Sequence, residues 1–221
     1  MIAFDSLNTL VSPYVPNVPA FTAANAIREA ARDFFRHVFA FQQEIEISVI
    51  DGEAKYPIEP DDNFVEVVSI LSVKRSDSDI LTHLSRDEHS QSKGRPRGYV
   101  GEHNKTLKLI PIPDKEEYLT VTLAVRPKFT APAMDREAYE ENAEALRCGA
   151  LAILKKHPGT EWFSPEEVPY YENLFLEAKN KKADEVRLNH MPNNMRLEIP
   201  SFLWLTFTIR VRYRFLATRI S

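Results

Sequence analysis

The sequence predicts an α+β protein: a three-helix bundle body, an antiparallel β insertion between the first and second helices, and an extended, strand-like C-terminal arm. Three observations carry this expectation. Apolar residues recur at helical spacing in three separated windows, polar and apolar residues alternate in the interval between the first two windows, and one final stretch alternates without a break over Leu203–Phe215.

Residues 1–19 hold Pro13, Pro16 and Pro19 and read as an extended N-terminal lead-in. The body follows over 20–188. Ile27, Ala31, Phe34, Val38 and Phe41 fall on one helical stripe, with Arg28, Glu29, Arg32 and Arg36 off it, so a helix is expected over about 20–42. Glu44 to Val49 alternates strictly, Asp51-Gly52 is a turn signal, and Ala54 to Ile58 resumes, which predicts a hairpin. Phe64 to Val73 reads as a strand covered on both faces, while Thr106 to Ile110 and Leu119 to Val125 alternate between prolines; together these make a β unit over about 44–128. The polar interval from Ser76 to Gly101 reads as a long loop or two short elements.

Tyr139, Ala143, Leu146, Ala150 and Ile153 repeat the first helix's template, predicting a helix over about 136–157 that stops at His157-Pro158-Gly159. Gly149 lies inside it, and an interior glycine, costing about 1 kcal/mol against alanine, is offset where another helix packs closely. Ser164-Pro165-Glu166-Glu167 has the form of a capping box and opens a third helix over about 165–188, with Val168, Tyr171, Phe175, Ala178 and Val186 on its apolar face. Residues 189–221 then comprise a linker and the arm. Leu203, Leu205, Phe207, Ile209, Val211, Tyr213 and Phe215 occupy every second position, and Trp204, Arg210, Arg212 and Arg214 stand between them. An apolar strand of this length, about 43 Å, is an aggregation hazard if unpaired, so its expected partner is the edge or groove of another chain.

Composition narrows the functional classes. Among 221 residues, only 6 are glycine and 15 are proline, which argues against a glycine-rich nucleotide cradle. The formal net charge of -4 gives no global cation excess for nucleic acid, so such a role would have to be local. The lone Cys148 cannot form an internal disulfide and reads as a packing residue in a reducing compartment. No basic start with an apolar run marks a signal peptide, and no stretch approaches the length of a membrane span, so no membrane role is expected.

Chemistry-bearing patterns are weak. His37, His83, His89, His103, His157 and His190 never take metal-ligand spacing, no serine sits in a nucleophile elbow, and Asp77-Ser78-Asp79, Asp61-Asp62 and Glu116-Glu117 read as solvated acids. No catalytic residue, cofactor or metal is expected. Two basic features remain: Lys93-Gly94-Arg95-Pro96-Arg97-Gly98, where Arg95 and Arg97 are candidate phosphate contacts, and the arginines of the arm. The latter suit either an acidic protein groove or nucleic acid, with Trp204 favouring protein.

The order of these pieces resembles the head-to-tail adaptor (connector, or tail accessory) proteins of tailed, short-tailed bacteriophages. The resemblance rests on Tyr14-Val15-Pro16, Ala30-Ala31-Arg32-Asp33-Phe34-Phe35, Asp51-Gly52, Tyr56-Pro57-Ile58 and Arg95-Pro96-Arg97-Gly98-Tyr99. It continues through Leu107-Lys108-Leu109-Ile110-Pro111, Val125-Arg126-Pro127, Cys148-Gly149-Ala150-Leu151, His157-Pro158-Gly159 and Tyr170-Tyr171, covering residues 14–188. It implies a structural virion protein, not an enzyme: a homo-oligomeric ring of about twelve copies below the portal protein, at the head–tail junction, assembled in the host cytoplasm. Such a ring joins the head to a downstream tail or nozzle protein and helps retain the packaged double-stranded DNA that passes through its channel. By the same resemblance, Leu203 to Phe215 would lace subunits together or reach the portal. The competing reading is a nucleic-acid-binding module using loop 93–98 and the arm's arginines; a hydrolase with groups converging from distant positions is a third.

Overall fold

The computed structural model describes residues 1–85, 92–103 and 105–190. The chain divides into two units, Met1–Val186 and Arg187–Ser221, and the arm at 203–215 lies outside the described residues. The first unit is α+β. Strand β1 (Ile2–Ala3) and a 3-10 helix (Phe4–Leu10) precede α1 (Ala20–Val38). Strands β2 (Gln42–Val49), β3 (Lys55–Pro57), β4 (Val65–Arg75), β5 (Thr82–His83), β6 (Gly98–Glu102), β7 (Thr106–Ile110) and β8 (Glu117–Pro127) follow. The chain then returns through β9 (Ala133–Met134) to α2 (Arg136–Lys155) and α3 (Val168–His190).

The first nineteen residues correct the expectation of an extended lead-in. Phe4, Leu7, Val11, Val15 and Val18 are all buried in the helical core, and Phe4 N–H donates to the Pro132 carbonyl at 3.0 Å. Their spacing of three and four residues turns one apolar stripe toward α1. β1 pairs antiparallel with β9, which ties the start of the chain to the segment leading into α2.

Helix α1 ends at Val38, earlier than the apolar stripe suggests, because Phe39 takes the left-handed conformation (φ 55°) and its amide returns to the Phe35 carbonyl at 3.4 Å. Helix α2 starts where Asp135 Oδ1 accepts from the Ala138 amide at 2.9 Å. Its burial is wider than a single stripe: Ala145, Leu146, Cys148, Gly149, Ala150, Leu151, Ala152, Leu154 and Lys155 are all buried. It is therefore the central helix, packed on more than one side. Helix α3 starts at Val168 instead of 165. Ser164 does not cap helix amides; its hydroxyl lies 2.8 Å from carboxylate oxygens of both Glu166 and Glu167, and the tetrapeptide closes as a turn with Glu167 N–H on the Ser164 carbonyl.

The β insertion is two sheets around one core, with orders β2-β8-β4 and β3-β7-β6-β5. All pairings are antiparallel except β5 with β6. The expected Asp51-Gly52 hairpin does not form. β2 pairs with β8 in one sheet and β3 with β7 in the other, so the turn carries the chain across the core. Its residues are held by more distant partners: Gly52 (φ 82°) donates to the Pro113 carbonyl at 2.9 Å, and the Tyr56 hydroxyl takes the Ile50 amide and gives to the Glu53 carbonyl at 2.7 Å. Burial pushes the Tyr56 phenol up. β4 is half-buried along most of its length and fully buried only at Val65, Val73 and Arg75, less than its apolar run suggests, and register shifts at Val67/Ser69 and Ile70/Ser72 bend it along β8. Ile70 thereby meets Gly101 of β6, where an added Cβ would lie 3.1 Å from Ile70 Cδ1.

The helical and β parts are joined through Glu66. Its Oε1 accepts from Arg126 Nε at 2.6 Å and from Arg32 of α1 at 3.0 Å, while Arg32 also donates to the Pro127 carbonyl at 2.7 Å. Arg28, one turn earlier, donates to the Ala131 carbonyl at 2.9 Å and lies over the Phe4 ring. The exposed Phe129 ring sits under Arg32.

Candidate assembly surface

The three helices meet at Gly149. A Cβ there would stand 2.9 Å from Ala30 Cβ on α1 and 2.9 Å from Phe175 Cζ on α3, so glycine is what lets both helices touch α2 at one level. Phe175 stacks near Phe34, with ring centroids 6.1 Å apart. Residues of α1, α2 and α3 line an open groove of about 490 Å³ beside this junction. Its floor is apolar, including Phe34, Ala145, Leu174 and Ala178, with the Cys148 thiol among them. Burial pushes that thiol up, which makes it a poor nucleophile and a packing group, as its place beside the stripe suggests.

The rims are charged. Glu141 and Glu144 of α2 face Glu177 and Glu185 of α3, against Lys181 and Lys182. Lys182 spans the groove at one level, 3.3 Å from Glu141 and 3.6 Å from Glu185, and Arg147 pairs with Glu144 at 3.1 Å. Four carboxylates against two lysines leave the lining acidic. On the far side of α3's first turns, Lys155 is buried and reaches Glu167 at 3.2 Å beneath the Tyr171 ring, and Tyr14 of the N-terminal segment lies under Arg147.

The sequence-predicted basic loop is differently placed from a phosphate grip. Arg95 forms an ion pair with Asp77, whose carboxyl is held below its ordinary range chiefly by that hydrogen bond. Lys93 is 3.2 Å from Asp51. Arg97 is exposed and its amide joins the sheet at the Ile110 carbonyl. The loop's carbonyl at Pro96 accepts from Arg75, a buried arginine that sequence reasoning missed and that lies 3.1 Å from Glu117. Its position near the end of β4 gives no sequence signal, because its partner is forty-two residues away. The other predicted site residues, Leu203, Trp204, Leu205, Phe207, Ile209, Arg210, Val211, Arg212, Tyr213, Arg214 and Phe215, lie outside the described residues. Among the described residues no group of three or more histidine, cysteine or acidic side chains is placed to hold a metal ion, and no helix is long and apolar enough to cross a membrane.

The open acidic groove and exposed aromatic side chains such as Phe21 and Phe129 are surfaces of the kind that a protein partner covers. Comparison with protein families specifies the class. The SU10 adaptor protein family matches residues 3–196, nearly the whole chain, and this protein belongs to that family: it is a structural bacteriophage adaptor. Residues 197–221, which contain the arm, fall outside the match. No curated protein matches the chain.

Proposed function

We propose that this adaptor assembles as a ring of about twelve copies beneath the portal, joins the DNA-filled head to the tail or nozzle, and helps retain the packaged double-stranded DNA. The observation that carries the reading is the family match over residues 3–196 on a body with its helices packed through Gly149 and an outward-facing groove. No chemistry is assigned to it. The arm at 203–215 provides contacts between subunits. The protein is a component of the virion at the head–tail junction after assembly in the host cytoplasm.

The nucleic-acid reading loses support from the loop geometry, since Arg95 and Lys93 already face carboxylates. Sedimentation of the purified protein with and without purified portal separates the two readings. The adaptor reading expects a monomer or small oligomer alone and a large complex with portal; no recruitment at any salt concentration refutes it. A nucleic-acid module would instead bind duplex DNA with steep salt dependence that is lost when Arg210, Arg212 and Arg214 are changed to alanine.

A further inference from the structure

We propose that the groove between α2 and α3 is the receptor for the arginine-bearing part of the arm, residues 209–215, of a second copy of this chain. The inference rests on the reading of the arm as an inter-subunit tie, and adds the surface that receives it.

Dimensions and charge point to this occupant. On α3 the groove runs from Leu174 to Glu185, about 16 Å of helix at 1.5 Å per residue. An extended chain covers that length in about five residues at 3.3 Å each. Arg210 to Arg214 is a five-residue stretch with three arginines and, between them, Val211 and Tyr213. Val211 and Tyr213 supply the apolar side chains for the floor at Phe34, Ala145, Leu174 and Ala178. The arginine stems are long enough to fold back to the rims, where Glu141, Glu144, Glu177 and Glu185 outnumber the two lysines. The chain continues for 31 residues past α3, of which about eighteen precede Ile209, so its own reach permits a donor on a neighbouring body.

The groove also needs covering. On α3, Leu174 and Ala178, the apolar side chains that line the floor, are only half-buried. A second copy's arm would cover apolar floor and pair rim charge at once, which the groove's own lysines do only at one level.

Cys148, the only cysteine, lines the floor and serves as a built-in reporter. Val211→Cys or Tyr213→Cys in the full chain, mildly oxidised during assembly with portal, is expected to give a ladder of disulfide-linked multimers on a non-reducing gel. Leu203→Cys, about 26 Å farther along an extended chain, is the control and should stay monomeric. A charge swap gives the second arm of the test. Glu141→Lys with Glu177→Lys, and separately Arg210→Glu with Arg212→Glu, should each reduce assembly at least tenfold, and mixing the two variant proteins should restore it. Rescue only when both sets sit on one chain, or a cross-linked monomer instead of a ladder, would place the arm on its own body and overturn the proposal. So would the absence of both cross-link and rescue. Phe207→Asp separates the underlying reading: if it assembles normally the arm is not a tie at all, whereas if it blocks assembly while the groove tests fail, the tie docks elsewhere.

Discussion

Replacing Gly149 with alanine tests how the bundle is held. Alanine is the better helix former by about 1 kcal/mol, so in an open site the substitution would stabilise the protein. Here the new methyl would lie 2.9 Å from Ala30 Cβ and 2.9 Å from Phe175 Cζ. The Phe175 ring is a side-chain end but a buried one, and Ala30 Cβ sits directly on the α1 backbone, so relief requires α1 and α2 to separate by several tenths of an ångström. Overpacking of this kind costs about 1–3 kcal/mol, which outweighs the propensity gain and leaves a net loss of about 1 kcal/mol. For a body of this size that is about 3 °C in Tm. Gly149→Val, adding two more carbons in the same space, should lose at least twice as much. Thermal unfolding followed by circular dichroism measures both. A rise of about 3 °C for Gly149→Ala would show that the helices do not meet there, and the account of the junction would fail. Pairing it with Ala30→Gly should recover part of the loss, because the shared contact is removed.

Other outcomes follow from named contacts. Glu66→Gln withdraws the carboxylate shared by Arg32 and Arg126 and should cost about 1 kcal/mol in urea unfolding, held low because Glu66 is 36% exposed. Glu117→Gln removes the ion pair of Arg75, only 5% exposed, and leaves its hydrogen bond to the Pro96 carbonyl, and should cost about 3 kcal/mol, more than Arg75→Met. Glu166 and Glu167 have carboxyls below the ordinary glutamate range, Glu167 chiefly through Ser164 and then Lys155. A depressed carboxyl contributes stability above its unfolded value and loses it as pH falls through the folded value, so acid should loosen the turn before α3. Ser164→Ala should bring the Glu167 titration, followed by NMR, back toward the ordinary value; an unmoved titration would refute that cause.

The helices were legible because their signal is local. The stripes on 27–41 and 139–153 report a face that the chain itself displays, and interior Gly149 marked a close approach before any partner was known. The strands at Thr106–Ile110 and within Glu117–Pro127 were legible for the same reason. Partner choice was not. Asp51-Gly52 encodes a turn, but whether flanking strands pair is decided by β7 and β8, more than fifty residues downstream, which bind β3 and β2 separately. In the N-terminal segment three prolines suggest extension, although Phe4, Leu7, Val11, Val15 and Val18 carry the helical spacing that buries them, a signal present in the sequence itself. The α2–α3 groove was invisible in sequence, since its acids come from two helices and are unremarkable on each. Ser164 shows the opposite failure: the capping pattern is present, yet the hydroxyl is engaged by the carboxylates beside it.

The most direct test of the account is electron-microscope imaging of the purified protein mixed with portal. The account predicts closed rings of about twelve copies stacked coaxially on the portal, formed by wild-type protein and absent with Phe207→Asp, whose monomer remains folded. Portal particles with no added density would contradict it, as would a Phe207→Asp chain that is itself unfolded.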